Sequence, residues 1–385
     1  MSKADFTREE FAQRRARVRQ AMQEQGLDWL LAFHPVSIHW LTGSDAKSYQ
    51  AFQCMLVSAR DDAVTVITRE GERNEYTDDT LADEVIGWGG GEPQDPLDVF
   101  RAAAQARNLR GARVGMEVPA YYLHPHHYVQ LKEWLGTALV AEATNLINDL
   151  KMVKSPAELA YIRQAGRMAD QAMARFVREL QVGRTELQAA GAVYHELLGA
   201  GSGIAGSTLN LVSGERSSFS HGAPTQRRFQ RGDFGNIEYG AACKRYTVTI
   251  GRQFCFGEPT PRMRELYDVV RAAADACIAA IRAGVPAVVP HEAAKKVIAD
   301  AGFDRYRIHT SGYGIAPGFP PAWGEPVNMF GGNTYTLQAG MVVSVEPPVF
   351  IGEEKLGARI IDNVLVTHDG AELISAHDRD LIVVS

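Results

Sequence analysis

LKMVKSPAELAYIRQAGRMADQAMARFVREL, residues 150–180, is the stretch whose reading divides the chain. Ser155 is followed by Pro156 and, three residues after the serine, by Glu158. That is the pattern of a helix start, because a proline is tolerated where the first N–H groups have no intrahelical partner and serine and glutamate side chains can satisfy the others. The amphipathic helix opened here, residues 155–180, begins a second domain spanning 151–385, after a first domain spanning 1–150. Beyond it the pattern predicts helix 185–199, strands near 207–213, 234–240 and 246–255, and helices 259–283 and 291–301. Long strands near 341–350 and 358–367 complete the reading. Helices grouped with helices and strands with strands indicate an α+β domain built on an antiparallel sheet.

Upstream the organisation differs. Thr7 with Glu10 has the form of a capping box, and Phe11, Val18 and Met22 recur at helical spacing until Gly26. Short apolar runs then follow at 28–33, 54–59, 63–68 and 113–118 between helical stretches, as buried strands of an α/β layer domain do. A chain of 385 residues is long enough for two cores. A hydrophobic fraction of 45% and a formal net charge of −6 give no footprint for nucleic acid or an anionic membrane, so a small-molecule or peptide ligand is expected. Cys54, Cys243, Cys255 and Cys277 form no paired spacing and read as small buried hydrophobes rather than nucleophiles or disulfides. The charged N-terminus and the lack of any run of about 18 apolar residues make a cytoplasmic protein the expectation.

Two acids stand in apolar strand-like runs: Glu238 in GNIEYG (235–240) and Glu346 in SVEPP (344–348). A carboxylate in such a run needs a partner, and an ion pair or a rim position would explain either one as well as catalysis would. His221 lies in SFSHGAPTQRRF (218–229), a Ser- and Gly-rich loop, and His309 precedes a Ser-Gly-Tyr-Gly turn in IHTSGYGIA (308–316). Loop histidines of this kind line clefts or simply face solvent. Arg252, Arg307 and Arg359 are the nearby cations, able to pair with the glutamates or to hold a substrate carboxylate. PGFPPAWGEPVNMF (317–330), carrying Phe319, Trp323 and Glu325, reads as a Pro- and Gly-rich loop, either the lip of a pocket or a rigid connector.

Taken together, GNIEYG, SGYGIA (311–316), SVEPP and RIIDN (359–363), with the VKSPAELAYIRQAG junction, resemble the creatinase, prolidase and methionine-aminopeptidase superfamily over nearly the whole chain. The resemblance implies an N-terminal α/β domain, creatinase N-terminal-like and ribonuclease H-like, followed by a pita-bread catalytic domain. In the metallopeptidases of that family Asp, Asp, His, Glu and Glu hold two metal ions. Here those places carry Glu238, Thr249, Tyr313, Glu346 and Ile361. Threonine, tyrosine and isoleucine are poor donors for divalent ions, so no metal and no other cofactor is expected.

The metal-independent branch, creatinase and the ectoine hydrolases, is the closer likeness. SFSHGAPTQRRFQRGD resembles the segment bearing creatinase's catalytic histidine, which falls on His221. VVSVEPP resembles its glutamate segment, which falls on Glu346. Lys244, Arg245 and Tyr246, together with Gly312, Tyr313 and Pro320 to Glu325, resemble the ectoine hydrolases. The creatinase glutamate of the next strand falls instead on Gly251.

The expectation is therefore a metal-independent hydrolase opening a C–N bond in a small amidine, guanidine or cyclic amidine. His221 would be general acid and base. Glu238 and Glu346 would form an anionic cradle, with Glu238 as a possible nucleophile. Tyr313 and His309 would donate hydrogen bonds to the tetrahedral centre, and Arg252 or Arg359 would grip a carboxylate. Trp323, Tyr246 and Phe52 complete the expected substrate contacts. An Xaa-Pro dipeptidase-like metallopeptidase and a non-catalytic binding protein are the alternatives. By resemblance the chain is a homodimer whose first domain, through GSDAKSYQAFQ (43–53), covers the partner's site.

Overall fold

A computed structural model describes residues 2–385, the side chain of Ala316 apart. The helix predicted from the SPAE pattern is present as Pro156–Glu179. Ser155 Oγ accepts from Glu158 N, and the Glu158 side chain accepts from Ser155 N at 2.7 Å, so the capping box is closed in both directions. The chain falls into two compact units, one ending at Lys151 and the other beginning at Met152.

The first unit carries strands β1 (Trp29–Ala32), β2 (Cys54–Ser58), β3 (Val64–Arg69), β4 (Glu84–Trp88), β5 (Val114–Met116) and β6 (Leu139–Glu142). They form one mixed sheet in the order β4-β3-β2-β1-β5-β6, antiparallel across β1/β2 and β2/β3 and parallel elsewhere. Helices α1 (Arg8–Glu24), α2 (Pro35–Thr42), α3 (Arg73–Asp79), α4 (Pro96–Ala106), α5 (Pro125–Leu135) and α6 (Thr144–Lys151) surround it. Thr7 caps α1 through Glu10 N, whereas the Glu10 carboxylate turns to Arg14 at 2.8 Å, so only half of the expected capping box forms. Glu117, just past β5, accepts from Phe33 N at 2.9 Å, His34 N at 2.8 Å and Ser37 Oγ at 2.6 Å, tying the sheet to the start of α2. Complete burial raises its pKa to about 7 despite those donors.

The second unit opens with α7 (Pro156–Glu179) and α8 (Glu186–Gly199), and continues with β7 (Asn210–Ser213), β8 (Phe234–Cys243) and β9 (Tyr246–Phe256). After α9 (Pro261–Ala280) and α10 (Val288–Asp300) come β10 (Tyr313–Phe319), β11 (Ala322–Asn328), β12 (Val342–Val345), β13 (Val349–Ile351), β14 (Leu356–Ala358), β15 (Asp362–Val366), β16 (Ala371–Leu373) and β17 (Ile382–Val384). The main sheet runs β16-β15-β12-β10-β9-β8-β7, with β11 on β10 and β17 on β9. Apart from parallel β17, its pairings are antiparallel. This is the expected two-domain α+β architecture. Ile162, Ala165, Ala169, Ala172, Met173 and Phe176 form the buried stripe of α7, and Tyr239 Oη of β8 donates to Ala169 O at 2.7 Å. That fixes which face of β8 and β9 turns towards the helices.

Three predicted elements differ, the first being the strand expected at 358–367, which is confined to Asp362–Val366 after a break at 359–361. The loop expected at 317–330 is mostly the β10/β11 hairpin, turned at Pro320-Pro321. Prolines and glycines argue against an interior strand, but among the described residues β11 pairs only with β10 and tolerates them as an edge strand does. The long strand expected at 341–350 is broken in two, because Pro347 and Pro348 cannot donate to a ladder. Glu346 sits in that break. Among the described residues no helix is long and apolar enough to cross a membrane.

Candidate active site

Strand alternation does the first sorting. Ile237 and Tyr239 face the helices, so Asn236, Glu238 and Gly240 face the other way. Opposite Glu238 in register lie Asn210 on β7 and Gly251 on β9. Asn210 Nδ2 donates to Glu238 Oε2 at 2.9 Å, and Arg359 Nη2 forms a short ion pair with the same oxygen. Arg359 is 2% exposed, and its second terminal nitrogen, Nη1, is buried without a hydrogen-bond partner.

Glu346 completes the acidic pair. Ser344 Oγ donates to Glu346 Oε1 at 3.2 Å and accepts from Tyr313 N at 3.1 Å. Burial, and after it the Glu238 carboxylate, raises the Glu346 carboxyl to about 8, against the pull of Arg359. The Tyr313 phenol accepts from Trp323 Nε1 at 3.0 Å, which leaves its own proton to donate. Burial and the two glutamates hold that phenol protonated, well above the usual tyrosine range. His309 and His221 stand edge to face with ring centroids 5.5 Å apart. Burial, then Arg359, lowers the pKa of His309 and keeps the ring neutral at physiological pH. Its Nδ1–H donates to Thr310 O at 3.2 Å, so Nε2 is an acceptor rather than the donor expected from sequence.

Seven of the expected site residues thus lie in one network: Glu238, Arg359, Glu346, Tyr313, Trp323, His309 and His221. Three do not. Arg252 is fully buried on the helix face of β9, where it donates to Asp378 O, Gly251 O, Ile361 O and His377 O at 2.7–3.1 Å and pairs with Asp362 at 2.9 Å. It has no donor left for a substrate carboxylate. Tyr246 shares that face, giving its hydroxyl proton to Glu158 on α7 at 2.7 Å. Phe52 is packed inside the first unit against Phe33, Phe100 and His127, 4% exposed, instead of projecting as a lid contact. Sequence reading missed Asn210 and Ser344. Ser344 was within reach, because it lies two residues before Glu346 in an extended run and so shares its face.

The chain spans the matched family descriptions in order. Residues 14–153 match the creatinase/prolidase N-terminal domain, and residues 160–368, over half the chain, match metallopeptidase family M24. The chain belongs to metallopeptidase family M24. With the N-terminal match, this places it in the pita-bread superfamily. A probable dipeptidase PepE of Mycobacterium tuberculosis is 29% identical over 100% of this chain and 99% of its own length. An Xaa-Pro dipeptidase of Pyrococcus furiosus is 30% identical over 62% of this chain and 67% of its own. Among solved structures, dipeptidase PepE of Mycobacterium ulcerans superposes with a TM-score of 0.85 at 28% identity, covering 98% of this chain and 99% of that one. These M24 relatives bear dipeptidase names, which overturns the reading of the chain as a hydrolase of amidines, guanidines or cyclic amidines. The motif likeness behind that reading rested on His221 and Glu346 for creatinase and on Lys244 to Tyr246, Gly312, Tyr313 and Pro320 to Glu325 for the ectoine hydrolases, and shared side chains of these kinds do not specify which C–N bond is cut.

The metal ions implied by the M24 name do not fit the side chains present. Glu238 is held by a guanidinium, whose charge repels a cation. Thr249 is engaged with Asn363, which accepts from its N–H at 2.7 Å and donates to its Oγ1 at 3.0 Å. Ile361 has no donor atom and fills the space over Gly251, where even a Cβ would come within 2.8–2.9 Å of it. Among the described residues no three His, Cys, Asp or Glu side chains are grouped so as to hold a metal ion.

Proposed function

We propose that this chain hydrolyses the amide bond of small dipeptide-type substrates, and that it does so with side chains alone. The dipeptide class rests on the M24 membership and on the names of relatives that match over the full length of the chain. Metal independence rests on one observation: the Arg359 guanidinium is paired with Glu238 and lies near enough to Glu346 to act on its charge.

The chemistry follows from what each group can do. Two buried carboxyl groups share a single guanidinium, so a substrate's α-ammonium can dock beside Glu346 as the second cation and draw its carboxyl into the ionised form. Water must lose a proton as it adds to the carbonyl carbon, and the His221–His309 pair offers the acceptor. Burial holds His309 neutral, and His221 is exposed to incoming solvent. Tyr313 and the protonated form of Glu346 are donors on the acidic side of the cluster.

The test is amino-acid release from a panel of dipeptides, including Ala-Pro and Gly-Pro, with N-acetylated counterparts. Release from the free dipeptides and its loss on acetylation is the expected result. No release from any dipeptide would end the dipeptidase reading.

A further inference from the structure

Among the described residues Arg359 is the one cation buried in the cluster, and half of its terminal donors are spent. Nη2 holds Glu238, the backbone N–H is engaged by Gln253 Oε1 at 3.2 Å, and Nη1 is buried with no partner. A buried N–H left without an acceptor costs on the order of 1–3 kcal/mol, so a fold that keeps one beside a reaction centre implies an acceptor that arrives with the substrate. Two kinds of oxygen could serve. A substrate carboxylate would add a negative charge to a buried group that already contains two carboxyls and a single guanidinium, an arrangement low-dielectric surroundings penalise. A neutral carbonyl oxygen adds none, and gains the interaction most when it turns into an oxyanion.

Building on the dipeptidase reading, we infer that Arg359 Nη1 binds the scissile carbonyl oxygen and stabilises the oxyanion formed there, a catalytic role in place of the carboxylate grip expected from sequence. The substrate's α-ammonium sits on the Glu238/Glu346 side and its own carbonyl oxygen on Nη1. Water adds to the carbonyl carbon and gives one proton to the imidazole pair. The C=O π electrons move onto the oxygen held by Arg359. The C–N bond then breaks, the oxygen's electron pair restores C=O, and the imidazolium returns its proton to the leaving nitrogen. The products are one carboxylic acid and one amine, with no redox partner needed.

The test compares Ala-Pro with its thioamide analogue, in which sulfur replaces the scissile oxygen and accepts hydrogen bonds weakly. Wild-type protein should favour the oxo substrate in kcat, and Arg359→Lys should lower kcat on Ala-Pro by about 10²–10³-fold while shrinking the oxo/thio ratio, with KM little changed. A lower kcat with the ratio intact marks a merely structural role and overturns the inference. A buried Glu238 left without Arg359 can destabilise the fold, so Glu238→Gln/Arg359→Met, which removes the charges together, is measured alongside Arg359→Lys. The wild-type ratio alone also decides: equal turnover of both substrates overturns the inference while leaving the dipeptidase reading in place. Failure of wild-type protein to cleave Ala-Pro or any other dipeptide overturns both.

Discussion

Changing His221 to alanine is expected to lower kcat by about 10²–10⁴-fold and to leave the midpoint of thermal unfolding where it is. The ring is exposed, and its packing contact is with His309, so little stability depends on it. Its catalytic weight is large because, with side chains alone, only a positioned base can take the proton that water loses in attacking a carbonyl. The size of the loss also reports on its neighbour. His309 is neutral with Nε2 free to accept, so partial substitution would bring the effect to the lower end of the range. Steady-state kinetics of the folded variant on a cleaved dipeptide gives the answer, and wild-type turnover would remove His221 from the mechanism.

Arg252→Met makes the opposite prediction. Its side chain ties β9 to the segment at 377–378 and to Ile361 through three carbonyl acceptors, and it neutralises Asp362 together with Arg379. Removing one partner of a buried charged network costs about 3–5 kcal/mol, far above what a surface arginine contributes. The variant should unfold at a markedly lower denaturant concentration. The fraction that remains folded should show an unchanged KM, because the guanidinium lies on the helix side of the sheet. A raised KM with normal stability would return Arg252 to the substrate site.

That error was avoidable from the sequence. Thr249 and Gly251 alternate on one face of β9, and Tyr246, Val248, Ile250 and Arg252 on the other, so a reading that places the position of Thr249 in the site has already placed Arg252 and Tyr246 outside it. What sequence could not supply is the register between strands. Asn210 faces Glu238 only because β7 and β8 pair as they do, and nothing in LNLVS announces that. The helix at 156–179 was legible because its start is written in local chemistry, serine, proline and glutamate at fixed spacing. The β10/β11 hairpin was hidden by Gly318, Pro320 and Pro321, which suit a loop equally well.

The resemblance also put Thr249, Tyr313 and Ile361 at the family's metal-ligand positions, yet the consequence was drawn too far. Loss of ligands bears on how a bond is cut. The chemical class of the bond follows from the substrate pocket, and there the dipeptidase relatives speak against the amidine reading. What the sequence could not show is the Arg359–Glu238 ion pair, because the two residues lie 121 positions apart and meet only through the fold.

We propose that Arg359, paired with Glu238, leaves the chain with no need of divalent ions. The direct measurement is turnover of a cleaved dipeptide by protein stripped with a chelator, with its residual metal counted by mass spectrometry before and after Mn²⁺ is added. The account predicts an undiminished rate at trace metal content and no stoichiometric uptake of Mn²⁺. A rate that vanishes on stripping and returns as Mn²⁺ binds stoichiometrically would contradict it.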